Sequence, residues 1–430
     1  MKAKGQHLLF ALVLMISALN FSGFFVASQT AHAASTIDVP QVTIPAKAGL
    51  AIDVKSGQIL ADKDSQQVLP IASLTKMLSM YLVLQAVKKG QLTWTQEVTP
   101  TTDIVQLSHN MELSNIPFET AKSYTVKELY DASLIYSANA AAMALADVVS
   151  GSQAKFIDAM KAQLAEWQIK DAKLVNVSGM SNSYVPAADR YPGTTETDEN
   201  EMSARDIAVV AQHLLKDFPE VLNVTSQTKI AFHGTTYPTW NLMLKGESAA
   251  TSEFDVDGLK TGTSERAGDS FVGTVKKNGF RIITVILHAD GRSVDQQKRF
   301  AAAKTLMEGV YQNWHQVTVL KRGQSSKQLP AVKVTNSKQT KVASVAGKTV
   351  KILLPKSVKA SQLTYKLNNN DISRIAPIKK GAHLGSVEML TIGSGYLTTE
   401  QKQSVPILAK TAVKGLTWWQ KAWQKITGLF

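Results

Sequence analysis

Hydrophobic and polar positions change rhythm along the chain, and each rhythm predicts an element. Residues 48–62, AGLAIDVKSGQILAD, read as two strands around a Ser56-Gly57 turn. LPIASLTKML (69–78) opens a helix near Ser73. Met77, Leu78, Tyr81, Leu82 and Leu84 form its apolar side, and Gly90 is its stop after Lys88 and Lys89. Thr125 and Glu128 have capping-box spacing, and Ala-rich helical sequence continues to about Val149, with Gly151 just beyond. A further helix starts at Ser203, with Asp206 in the capping position, and runs to about Lys216 before Pro219. SFVGTVKKNGFRIITVILHA (270–289) is a hairpin turned by Asn278-Gly279, followed by a helix over roughly 294–314. Strands thus flank a helical middle. This predicts one α+β domain, 34–315, whose first and last strands share a sheet.

After Gln316 the texture is different. KVTNSKQT, KTVKILLP, QLTYKL and SVEMLTIG cluster β-branched residues between turn residues, predicting a small all-β domain over 316–408. The end, within 409–430, changes again. Placed on a helix, Leu416, Trp419, Ala422, Trp423, Ile426 and Phe430 share one side of GLTWWQKAWQKITGLF. Thr417, Gln420, Lys421, Gln424 and Lys425 share the other. Tryptophan opposed to lysine is the pattern of a helix lying in a membrane interface, and sixteen residues with internal lysines are too few to span.

The first residues add an address. Lys2 and Lys4 precede an apolar stretch from Leu8, and Ala31-His32-Ala33 is a small-x-small cleavage site. Residues 1–33 are expected to be a secretory signal peptide, so the protein is expected to be exported. With no cysteine, disulfides and cysteine-ligated metals are excluded. Charge is divided unevenly: residues 316–430 hold 19 Lys+Arg against 3 Asp+Glu, whereas 34–315 hold 26 against 31. A basic second domain on an exported protein points to lipid head groups or wall polymers rather than nucleic acid.

Candidate chemistry begins with Ser73 and Lys76, which face each other one helical turn apart. Ser152/Lys155 and Ser226/Lys229 have the same spacing, so spacing alone selects nothing. Order does. Ser137-Ala138-Asn139 follows Ser73, and the single Lys260-Thr261-Gly262 follows that; only Ser73 leaves room for a helical subdomain between nucleophile and S-x-N. A serine hydroxyl needs an adjacent base. No histidine motif is tied to any serine, and Lys76 can serve if burial and a nearby cation, Lys260, hold it neutral. Ser137 can relay a proton to the leaving group, and Asn139 can hold a substrate amide. Lys260 and Thr261, with an arginine, can bind a carboxylate. Arg292, Lys298 and Arg299 are open choices for that cation.

With these motifs in place, the sequence resembles the low-molecular-mass penicillin-binding proteins, serine D-Ala-D-Ala carboxypeptidases of the serine β-lactamase/transpeptidase superfamily. LPIASLTKM, NVSGM (176–180), MSARDIAVVA (202–211) and VDGLKTGTSERAG (256–268) carry the likeness, which covers most of 45–315. Ala138 stands where glycine is common, and Thr263 where this branch often has histidine. The resemblance implies an acyl-enzyme on Ser73 and removal of the last D-alanine of peptidoglycan stem pentapeptides. It also implies an oxyanion hole from the backbone N–H groups of Ser73 and Thr263 beside Gly262, and β-lactams as inhibitors. No cofactor and no metal are expected. A D,D-transpeptidase or endopeptidase, a β-lactamase of the same fold and a non-catalytic wall-binding protein are the alternatives. The β-lactamase lacks a convincing glutamate motif between Asn139 and Lys260.

Overall fold

The computed structural model describes residues 40–291, 297–368, 372–389, 395–398 and 404–427. The signal-peptide reading therefore lies outside the described residues, as do Arg292 and Phe430. The centre is a five-stranded antiparallel sheet. Its strands are β1 (Ala46–Asp53), β2 (Ile59–Lys63), β3 (Val256–Ser264), β4 (Gly268–Lys277) and β5 (Phe280–Ala289), in the spatial order β2-β1-β5-β4-β3. The first strand pairs with the last, Gly49 opposite Ile286, as the sequence predicts. Asn278 and Gly279 take φ of 52° and 87°, the left-handed pair that a two-residue hairpin requires.

RIITVILHA is apolar almost throughout because both faces of β5 are covered. Ile283, Val285 and Leu287 join one core, under the helices α1 (Lys76–Lys88), α2 (Val126–Asp131), α3 (Asn139–Ser150), α4 (Gln153–Glu166) and α5 (Ala204–Asp217). Ile282 and Ile286 join another with Phe300, Leu306 and Val310 of α6 (Lys298–Asn313). The period of two in a strand divides one run of residues between two layers.

Four expectations are corrected. Ser73 sits in a 3₁₀ turn, Ala72–Thr75, and the α-helix itself starts at Lys76. That helix has no single apolar side: every residue from Lys76 to Leu84 is buried, because helices and sheet surround it. The Ala-rich segment is not one helix either. α2, capped by the reciprocal Thr125–Glu128 bonds, passes into a π-helical turn, Ala132–Tyr136, and breaks at Ser137 before α3 restarts. At α5 the cap is Ser203, and Asp206 is its partner three residues on.

α6 runs directly into a strand, Trp314–Leu320, that pairs with Val350–Pro355. The following all-β part shares the core behind the sheet. Trp314 is buried and its indole N–H donates to Leu60 O at 3.0 Å; Gln58 Nε2 donates to Leu353 O at 3.2 Å. A ten-residue helix, α7 (Trp418–Thr427), ends the described chain, starting two residues after Leu416, the first of its apolar pattern.

Candidate active site

A cleft of about 1010 Å³ opens where the helical layer meets the free edge of β3. Ser73, Ser137, Asn139, Thr261 and Thr263 line it. The three sequence motifs, up to 187 residues apart in the chain, therefore meet in one place.

Ser73 is presented by a strained turn. Ala72 has φ of 45°, a left-handed backbone that alanine rarely adopts and that costs about 1–3 kcal/mol. Close packing enforces it. Gly179 has φ of 82°, and a Cβ there would stand 1.9 Å from Ala72 O. A Cβ on Gly262 would stand 2.7 Å from Ile71 O. The two glycines let the 176–180 loop and β3 close on the serine turn from two directions.

Lys76 is fully buried, and its Nζ meets three oxygens: Ser73 Oγ at 2.9 Å, Asn139 Oδ1 at 2.7 Å and Ser178 O at 2.9 Å. Burial, then the Lys260 charge, push its pKa well below the ordinary lysine value. A neutral amine has two hydrogens and one lone pair. Asn139 Oδ1 and Ser178 O can only accept, so they take the hydrogens and the lone pair is left facing the Ser73 hydroxyl.

Lys260 is buried as well. Its Nζ donates to Ser137 Oγ at 2.8 Å and Thr261 O at 3.1 Å, and burial, then Arg299, lower its pKa to about 7. Ser137 itself sits at φ of 66°, where the π-helical turn ends. Gly262 lies between Thr261 and Thr263 on β3 with its face against the serine turn.

Among the three open choices for a cation, Arg299 lines the cleft. Its Nη1 donates to Gly262 O and Ser270 O, and its Nη2 to Thr263 Oγ1 at 2.7 Å and Asp269 Oδ1 at 2.9 Å. The guanidinium thus orients Thr263 and charges the floor beneath it. Sequence could not choose Arg299 over its neighbour Lys298, because the choice depends on how α6 is rotated against the sheet. The 176–180 loop is held by Asn200, which donates to Thr75 Oγ1 at 3.0 Å and to Asn176 O at 2.8 Å and accepts from Val175 N at 2.7 Å. Glu199, beside it, is buried and lines the cleft. Neither residue stood out in the sequence, because neither belongs to a motif.

Such a site, a serine faced by a buried amine beside an open sheet edge, is that of an acyl-transferring serine hydrolase. Comparison with known proteins gives the family. Residues 32–291 match the family model described as D-alanyl-D-alanine carboxypeptidase, and residues 314–415 match that of the penicillin-binding protein 5 C-terminal domain. The chain belongs to the D-alanyl-D-alanine carboxypeptidase family. It is 28% identical to D-alanyl-D-alanine carboxypeptidase DacC of Escherichia coli (strain K12), over 85% of this chain and 84% of that one. It is 25% identical to DacF of Bacillus subtilis (strain 168), over 95% of each. A solved structure, the peptidoglycan synthesis regulatory factor (PBP3) of Streptococcus pneumoniae, superposes with a TM-score of 0.72 at 36% identity, covering 86% of this chain and all (100%) of that one. The ampicillin-bound penicillin-binding protein D2 of Listeria monocytogenes superposes at 0.51 with 28% identity, covering 63% of this chain and 99% of that one.

The packing of Gly179 gives a first test. In Gly179→Ala the new methyl group must displace Ala72 and with it Ser73. Since a misplacement of about 1 Å can cost on the order of a hundredfold, covalent labelling by a fluorescent penicillin is expected to slow by about that factor. Unchanged labelling would show that the serine turn does not depend on this contact.

Proposed function

We propose that the protein removes the terminal D-alanine from peptidoglycan stem pentapeptides through an acyl-enzyme on Ser73. The contacts of the buried Lys76 Nζ with Ser73 Oγ, Asn139 Oδ1 and Ser178 O are the observation that carries the reading. Ser73 Oγ attacks the carbonyl carbon of the penultimate D-alanine while its proton passes to Lys76 Nζ. Backbone N–H groups of Ser73 and Thr263 take the oxyanion. As the peptide C–N bond breaks, the departing nitrogen receives a proton through Ser137, which Lys260 holds. Asn139 positions the substrate amide. Thr261, Thr263 and the Arg299 charge behind them receive the terminal carboxylate. Water then hydrolyses the Ser73 ester. β-Lactams acylate the same oxygen.

The mature protein, incubated with a pentapeptide ending in D-Ala-D-Ala, is expected to release free D-alanine. A labelled penicillin is expected on the peptide that contains Ser73. An adduct on Ser152 or Ser226, or labelling without D-alanine release, counts against the assignment.

Lys76→Ala is expected to lower acylation by ~10²–10⁴-fold, the usual value of general-base help. Lys76→Arg should fail equally, since arginine stays protonated. Acylation is expected to fall toward acid pH as Lys76 gains its proton. Lys260→Ala removes one of the two causes that depress the Lys76 pKa, so in that variant the acid limb should move to higher pH. A limb that stays in place, measured as acylation rate against pH, rules out Lys260 as the tuning charge.

The same reading divides the chain into a leader (1–33), a catalytic domain (34–315), a basic β domain (316–408) and a membrane-associating tail (409–430). It places the enzyme outside the cell, peripheral on the membrane. Trp418, Trp419 and Trp423 of α7 are 65%, 67% and 69% exposed, and the first two rings stack at 3.5 Å. Among the described residues no helix is long and apolar enough to cross a membrane. Apolar side chains buried in lipid contribute roughly 1.5–3 kcal/mol each, and each lysine near an anionic surface about 1 kcal/mol. Val413 is buried and pairs with Ile378, so the anchor begins after it. Truncation after Leu416 should abolish flotation with anionic liposomes and leave release of D-alanine from a small peptide intact. High salt should loosen the full chain only in part, because the apolar contribution is not screened. If the truncated protein floats equally well, the tail is not the anchor.

A further inference from the structure

One buried acid of the cleft takes no part in the acyl transfer. Glu199 is only 3% exposed, yet it lines the cleft. Its Oε2 accepts from Ser264 Oγ at 2.7 Å, and Ser264 directly follows Thr263 at the end of the edge strand β3. Among the described residues no hydrogen bond reaches Oε1, and that atom is not among the buried polar atoms lacking a partner. Oε1 is therefore not fully enclosed, in a residue that lines the cleft.

Among the described residues no cation pairs with this carboxylate. The two arginines of the cleft wall are both committed elsewhere. Arg266 pairs with Glu201 at 2.7 Å, and Arg299 with Asp269 at 2.9 Å. Among the described residues none lies within ion-pair distance of Glu199. Three further acids line the cleft, Glu112, Glu247 and Glu265, and add negative potential to it. A carboxylate withdrawn from water and given a single hydroxyl donor is under-satisfied, and a ligand ammonium supplies both the charge and the hydrogens it lacks.

The position selects the part of the substrate concerned. The terminal carboxylate goes to Thr261 and Thr263, above the cationic Lys260 and Arg299. Glu199 lies past them, at the end of the open strand edge. An anion would be repelled there. Resting on the carboxypeptidase reading, we propose that Glu199 is a specificity residue: its free oxygen takes a primary ammonium group carried by the acyl part of the peptide, the free amine of a diamino-acid side chain. Binding is an ion-paired hydrogen bond and involves no covalent step. It favours stem peptides whose side-chain amine is free over those in which it has been acylated.

The test compares two pentapeptides ending in L-Lys-D-Ala-D-Ala, one with a free side-chain amine and one N-acetylated there, by release of D-alanine. The wild-type enzyme is expected to favour the free amine about tenfold in kcat/KM, the scale of a charge-assisted hydrogen bond. In Glu199→Gln, which keeps the shape and the Ser264 bond, the ratio should approach one. A wild-type ratio near one overturns the proposal. So does a Glu199→Gln enzyme in which both peptides slow alike and the ratio persists, since that is what a tether between loop and strand would give. Release from neither peptide overturns the carboxypeptidase reading itself, and this inference with it.

Discussion

An ammonium group cannot be buried alone. Moving one out of water without a counter-charge costs so much that the group gives up its proton instead. The site depends on that constraint. Lys76 and Lys260 are both buried, neither is paired with a carboxylate, and each has its pKa driven down. The protein thereby holds two buried amines that give up their protons more readily than an ordinary lysine. The same burial dictates the surroundings. A neutral amine still needs partners for two hydrogens, so Asn139 and Ser178 must stand where they do, and the 176–180 loop must be tied down by Asn176 and Asn200. The strained Ala72 backbone is the cost of bringing the serine hydroxyl over the remaining lone pair.

Charge in the floor of the cleft is graded. Asp269 offsets Arg299, Arg299 lowers the pKa of Lys260, and Lys260 lowers that of Lys76. One acid against three potential cations leaves the floor electron-poor until something anionic arrives. An anion beside Lys260 and Arg299 would complete the set. Its negative charge would let Lys260, which contacts Ser137, hold its proton, so anion binding and that protonation are coupled.

Much of this was legible in the sequence where local chemistry decides structure. Asn278-Gly279 announces its hairpin, Thr125 and Ser203 announce their helices, and the order S-x-x-K, S-x-N, K-T-G announces the site. Elsewhere distant parts of the chain decide. ASLIYSANAAAMALA reads as unbroken helix, yet it breaks at Ser137 because a loop twenty-five residues earlier supplies the caps for a new start: Asn139 N donates to Ser114 O and Ala140 N to Asn115 Oδ1. Helix propensity is a weaker influence than these bonds together with the Lys260–Ser137 contact. Arg299 and Glu199 were hidden for the same reason, since burial in a shared cleft leaves no trace in spacing. The tryptophan-lysine tail was readable because amphipathicity is a property of one short segment, although its helix begins at Trp418.

The pairing of β1 with β5 also sets the order in which the molecule can come into being. The strand that borders β1 begins at Phe280, and β1 ends at Asp53, so more than half of the chain must be available before the central sheet can close. Such long-range closure is slow compared with helix formation, because its entropy is lost before the contacts form. The helical layer that bears Ser73 and Lys76 can gather early, but Lys260, Thr261 and Arg299 join it only as the sheet is completed. Until then Lys76 lacks the Lys260 charge beside it. The three sequence motifs are therefore brought together in the same event that gives the molecule its finished shape.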